Sequence, residues 1–195
     1  MRSITFWYDF ASTYSYLSAM RISDLASARG VAVSWRPFLL GPIFVAQGWN
    51  SSPFNIYPAK GRYMVRDIER LAAARGLAFR MPDPFPQNSL LAARVGTVGI
   101  AEGWVAQFTR AVYAAEFADG RQISSPAVLG ALLSEIGQDA PRILEAAQSP
   151  ETKDALRKTT EEAGRLGIFG APSFTVGEEV FWGDDRLEQA LAWDS

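Results

Sequence analysis

The chain changes texture twice, and the order of those textures restricts the folds open to it. Residues 3–9, SITFWYD, are dominated by β-branched and aromatic side chains and end at a turn-prone segment, the pattern of a buried strand. A helix fits from Ser15 to Arg29, with Tyr16, Leu17, Met20, Ile22 and Leu25 at its apolar positions and Gly30 placed for a left-handed C-terminal cap. Residues 31–38, VAVSWRPF, return to strand texture. Two strands joined through one helix and a short link specify a parallel pair with a right-handed crossover. At the far end, APSFTVG and EVFWG flank a Gly177-Glu178 turn, and DDRLEQALAW closes as a helix with Asp184 and Asp185 near its positive end. So β-α-β opens the chain, β-β-α closes it, and the two ends together make one mixed sheet.

Between these ends the texture is different. From LLGPIFVAQGWNSSPFNIYP onward, Gly, Pro, Ser and Asn are dense to about Pro58, which reads as a long loop leaving a domain. Residues 59–167 are almost wholly helical in apolar spacing, and Ser125-Pro126 and Ser149-Pro150 each place an N-cap before a proline at the first helical position. LASARG, LAAARG and LAARVG recur at uneven spacing and share a common helix ending, so they define no repeat. The expected organisation is an α/β domain from residues 1–45 and 168–195, with an inserted helical subdomain at residues 46–167.

Two absences decide much of the chemistry. Among 195 residues there is no Cys and no His, which excludes disulfides, thiolate nucleophiles, Cys/His zinc sites, Ser-His-Asp triads and imidazole acid-base catalysis. Any nucleophilic thiol must come from outside the chain. The balance of 19 basic against 21 acidic residues, without a basic run, lacks the footprint of a nucleic-acid binder. The N-terminus has no apolar signal-peptide core, and no apolar run reaches the ~18–20 residues of a membrane span, so a cytoplasmic location away from the membrane is expected.

The tetrad Ser12-Thr13-Tyr14-Ser15 follows the first strand, where a helix begins. Taken locally, Ser12 is an N-cap. Together with LGPIF and KGRYM in the middle and GIFGAPSFTVGEEVFWGDDRL near the end, however, YDFASTYSYLS resembles the 2-hydroxychromene-2-carboxylate isomerases over nearly the full length. Those enzymes belong to the thioredoxin-like superfamily with kappa-class glutathione transferases and DsbA-type oxidoreductases. The resemblance implies an α/β, thioredoxin-like domain with a large helical insertion, with glutathione as cofactor and a small aromatic molecule as substrate. It leaves a homodimer open.

The resemblance also implies roles for particular residues. The family's tetrad is Ser-Pro-aromatic-Ser, so Ser12 matches its catalytic serine while Thr13 departs from the proline. With no base to make Ser12 an alkoxide, its role is to orient the glutathione thiolate at a helix N-terminus. FGAPSF implies that Ala171 presents its backbone to the thiol peptide and that the Ala171-Pro172 bond is cis. Trp182, Gly183, Asp184 and Asp185 of WGDDRL match the segment that holds the γ-glutamyl end, where Asp185 pairs the α-ammonium and Asp184 shares that role or caps the helix. Asn55 is expected to make a polar contact, with Lys60 a secondary candidate for a carboxylate, and Val45 stands where many relatives have Lys. Aromatics near GPIF, GWN and FPQN are candidates to line an acceptor pocket. The implied activity is glutathione-dependent cis-trans isomerisation of an aromatic catabolite like 2-hydroxychromene-2-carboxylate. A kappa-like glutathione transferase or peroxidase, and a non-catalytic cysteine-free module that binds thiol peptides, are the alternatives.

Overall fold

The computed structural model describes residues 2–193; Met1, Asp194 and Ser195, which the expected domain boundaries include, lie outside the described residues. Four strands form one sheet: β1 (Ser3–Tyr8), β2 (Ala32–Pro37), β3 (Ser173–Val176) and β4 (Glu179–Trp182), in the order β2-β1-β3-β4. The β1–β2 pair is parallel, as a helical crossover demands, and the β1–β3 and β3–β4 pairs are antiparallel. Phe6 pairs with Trp35 on one side and Phe174 on the other, and its ring stacks on Phe174 at 5.5 Å. The two ends of the chain do make one mixed sheet.

The first helix departs from expectation. Instead of one run from Ser15 to Arg29, α1 (Thr13–Ala19) stops at Met20, and α2 (Ile22–Ser27) starts after Arg21, whose φ of −131° is not helical. The interruption turns the Arg21 guanidinium onto the Asp184 carboxylate and backbone oxygen and onto Glu188. A contact about 160 residues away in sequence overrides local periodicity here.

The segment expected to be a loop contains two short helices, α3 (Leu40–Ala46) and α4 (Pro53–Ile56), before α5 (Pro58–Ala74). The signal for α3 is not local: Leu39 offers no capping side chain, and the Leu40 amide donates instead to Asp9 Oδ2 at 2.8 Å. The helical run continues with α6 (Leu90–Glu102), α7 (Val105–Phe117), α8 (Pro126–Glu135), α9 (Ala140–Ala146) and α10 (Pro150–Arg165). Ser125 and Ser149 cap α8 and α10 as their sequence context indicates, accepting from the Val128 and Thr152 amides. A 3-10 turn (Asp184–Arg186) leads into α11 (Leu187–Ala192). No described helix is long and apolar enough to cross a membrane.

Alternation along β1 sends Ile4, Phe6 and Tyr8 into a core shared with α1 and α5–α9, while Trp7 points to the other face, against Phe38, Ile43, Ala163 and Ile168. The sheet and the helices after α4 are therefore cemented by one continuous apolar cluster. Strand register brings distant segments to one place. Trp7 pairs with Ser173, and Ser173 with Trp182, so the end of β1, the start of β3 and the end of β4 meet at one end of the sheet.

Candidate active site

Ser12 sits at that end of the sheet as the N-cap of α1. Its Oγ accepts from the Ser15 amide at 3.2 Å and donates to the Ala171 carbonyl at 3.2 Å. The Ala171-Pro172 bond is cis, as the resemblance implies. Thr13, in place of the family's proline, occupies the first position of α1, where proline is favoured because its missing N–H is not needed. Its hydroxyl is buried and donates to Met64 Sδ at 3.4 Å, so a polar atom that would otherwise be stranded has a partner.

Around Ser12 opens a cleft of about 1240 Å³. The structure brings Ser12, Ala171, Pro172, Trp182, Gly183, Asp184 and Asp185 together on its wall, from segments far apart in sequence. Asn55 is not among them: it is exposed, and its side-chain amide donates to Ser51 Oγ at 3.2 Å. The helical turn of α4 points it away, and Asn50, Ser51 and Ser52, just before that helix, line the cleft in its place. Trp182 lies against Gly170, where a Cβ would come within 2.5 Å of the indole Nε1, and its ring meets Phe169 at 4.9 Å. Gly170 thus permits the close approach of Trp182 to the loop before Pro172. Gly183 adopts φ 108°, a conformation that keeps other residues out.

The two aspartates of WGDDRL have different surroundings. Asp184 is 3% exposed and its oxygens are already taken: it accepts from Ser18 at 2.8 Å, from Arg21 Nε and Nη2 at 3.3 and 3.2 Å, and from Arg75 Nη2 at 2.6 Å. It caps nothing, since the 3-10 turn has no side-chain cap. Its role is a clamp that fastens the end of the chain to α1, Arg21 and the C-terminus of α5. Asp185 is exposed beside the cleft and pairs with its neighbour Arg186, at 3.0 Å.

Residues the sequence did not single out complete the site. Asp9, at the end of β1, accepts from the Ala11 amide through Oδ1 and the Leu40 amide through Oδ2, bracing the Ser12 turn against α3. Burial nonetheless pushes its carboxyl above the ordinary range, against those hydrogen bonds. Tyr14 donates to Asp67 at 2.8 Å, and burial followed by that carboxylate raises its phenol. Beneath the turn Tyr113 donates to the Asp9 carbonyl at 2.8 Å, and Glu116 is fully buried with both carboxyl oxygens unpartnered. Burial, with Asp9 nearby, drives Glu116 well above the ordinary carboxylate value, which favours its protonated form. No local pattern distinguishes Asp9 or Glu116 from a surface carboxylate. The described residues contain no cluster of three or more ligating side chains suited to a metal ion.

The arrangement offers a hydroxyl, a helix N-terminus and an edge of backbone at one point, inside a cleft large enough for two small molecules. Residues 3–192 match the family described as DSBA-like thioredoxin domain. The 2-hydroxychromene-2-carboxylate isomerase of Sphingobium xenophagum is 30% identical, covering 96% of this chain and 95% of its own length. Glutathione S-transferase kappa 1 of Homo sapiens is 27% identical, covering 96% of this chain and 88% of its own length. Among solved structures, that of a 2-hydroxychromene-2-carboxylate isomerase superposes with a TM-score of 0.87 at 25% identity, covering 96% of this chain and 91% of the other.

Proposed function

Since the chain belongs to the DSBA-like thioredoxin domain family and to the 2-hydroxychromene-2-carboxylate isomerase family within it, we propose that it is a glutathione-dependent cis-trans isomerase of a related aromatic compound. The observation that carries this reading is the Ser12 hydroxyl, held at the N-terminus of α1 against the carbonyl of Ala171. Glutathione is an extended thiol peptide, and its cysteinyl N–H suits the Ala171 carbonyl. Once that N–H takes over the carbonyl, the Ser12 hydrogen is released to the sulfur. The thiolate then gains a hydrogen bond and the positive end of α1. Because Asp184 is occupied, the α-ammonium falls to Asp185, and Lys60 on the cleft wall suits a carboxylate.

The chemistry follows from the electrons. Held there by Ser12, Ala171 and Asp185, glutathione would supply a sulfur nucleophile able to add reversibly to the substrate's conjugated carbon, with the double-bond pair moving onto the carbonyl oxygen and returning as the sulfur leaves, so that the bond could rotate in between and no protein nucleophile would be needed. Difference ultraviolet absorption on adding glutathione tests the reading. Wild type gives a thiolate band at neutral pH and Ser12→Ala a much weaker one; equal bands, or none in wild type, overturn it. A kappa-like transferase remains the second reading, supported by the human relative, and turnover of a generic electrophile with glutathione retained in the product would select it.

A further inference from the structure

The charges of the cleft are gathered on part of its wall. Apart from Asp9, the ionisable residues that line it lie on α5 (Lys60, Tyr63, Asp67) or at its C-terminus (Arg75), in the turn after β4 (Asp184, Asp185, Arg186), and on α1 (Tyr14). The stretch built by α3 and residues 85–90 carries no charge among its lining residues. Leu39, Leu40, Pro42, Phe44, Val45 and Phe85 form its apolar surface, and Trp49 packs on Phe44 with ring centres 5.8 Å apart. Val45 is 70% exposed, an isolated apolar side chain on the face of α3 that borders the cleft. The polar groups nearby are neutral: Gln47, Asn50, Ser51 and Ser52.

The arginines on the other part already face carboxylates. Arg75 is bound to Asp184 at 2.6 Å and Arg186 to Asp185 at 3.0 Å. Among the described residues, Lys60 is the cleft-lining cation for which no ion pair is seen. Glutathione brings two carboxylates and one ammonium of its own, and it draws on this same charged part. The α3 side supplies no cation of its own to a second substrate, and Asp9 on the cleft wall would repel an anion whenever ionised. Placing a carboxylate against apolar side chains without a partner is strongly disfavoured, whereas a flat uncharged ring gains from burial there.

We infer that the second substrate is an uncharged conjugated aromatic ketone, or its cyclic hemiketal, bearing no carboxylate, and that it is seated on the α3 wall with its reactive carbon toward Ser12. This rests on the glutathione-dependent reading of the site and narrows its substrate class. The carbonyl accepts from Asn50, Ser51 or Ser52, neutral donors that suit a ketone oxygen and would strengthen on it as negative charge builds there.

The test compares glutathione-dependent isomerisation of benzylideneacetone and benzylidenepyruvate, which differ in a methyl against a carboxylate, by the full chain and by Val45→Lys. Wild type is expected to favour the ketone by at least tenfold in kcat/KM. Val45→Lys, at an exposed position where folding is not at stake, is expected to shift that ratio at least tenfold toward the carboxylate. Equal turnover or a preference for the carboxylate in wild type overturns the inference, as does an unchanged ratio in the variant or turnover of neither compound. The thiolate band with glutathione alone separates the two levels. If the band forms and the carboxylate is preferred, only the substrate class falls; if no band forms, the glutathione reading falls and the inference with it.

Discussion

Asp184 and Glu116 are both carboxyls removed from solvent, at 3% and 0% exposure, yet the molecule treats them in opposite ways. Asp184 is surrounded by donors from Ser18, Arg21 and Arg75, gathered from three elements. Glu116 is surrounded by packing, with no partner for either oxygen. A buried carboxyl met by two arginines ties segments together; one without partners is pushed by burial toward its protonated form and behaves as a polar filler. The clamp lies at the closing turn of the chain, and the unpartnered acid lies under the Ser12 turn with Asp9 and Tyr113. Burial alone therefore does not say what an acidic residue does.

Three changes probe that contrast. Asp184→Ala should have the largest effect, a loss of about 3–5 kcal/mol, because Arg75 and Arg21 are left part-buried without their shared anion. Denaturant unfolding followed by fluorescence measures it, and a loss under about 1 kcal/mol would break the distinction between clamp and filler. Glu116→Gln should act chiefly through pH. The folded state holds the Glu116 proton more tightly than the unfolded chain, so its contribution is fully present below about pH 4.3, the unfolded value, and fades as pH rises toward the raised folded value. Asp9 acts in the same direction. Between about pH 5 and pH 8, wild type should lose on the order of 1 kcal/mol or more relative to Glu116→Gln. A parallel pair of stability curves would show that Glu116 is ionised in the folded protein.

Asp185→Asn should be the mildest for the fold, within about 0.5 kcal/mol, since its pair with Arg186 is on the surface. Under the proposed function it should nevertheless weaken glutathione binding several-fold, read by calorimetric titration. Neighbours in sequence would then separate cleanly, with stability at residue 184 and ligand at residue 185.

Much of the architecture was legible because it depends on short-range patterns. The strand textures at both ends, the serine caps before Pro126 and Pro150, and Ser12 as an N-cap all rest on contacts within a few residues, and all are present. The elements that differ from expectation depend on distant partners. α1 and α2 part at Arg21, whose guanidinium is engaged by Asp184 and Glu188, and α3 is capped by Asp9 from β1. Asn55 lies outside the cleft because α4, four residues long, redirects the chain where the sequence reads as loop.

The inventory of side chains, by itself, determined that any reactive thiol must be borrowed, because a chain with no Cys cannot supply one. The pattern along the chain also determined a pair of strands at each end and the place of a hydroxyl at the first helix. Only the tertiary structure decided which carboxyl is a clamp, which is buried without a partner, and which faces the cleft. Those states depend on the field and solvent around a group, and residues more than a hundred positions apart create them.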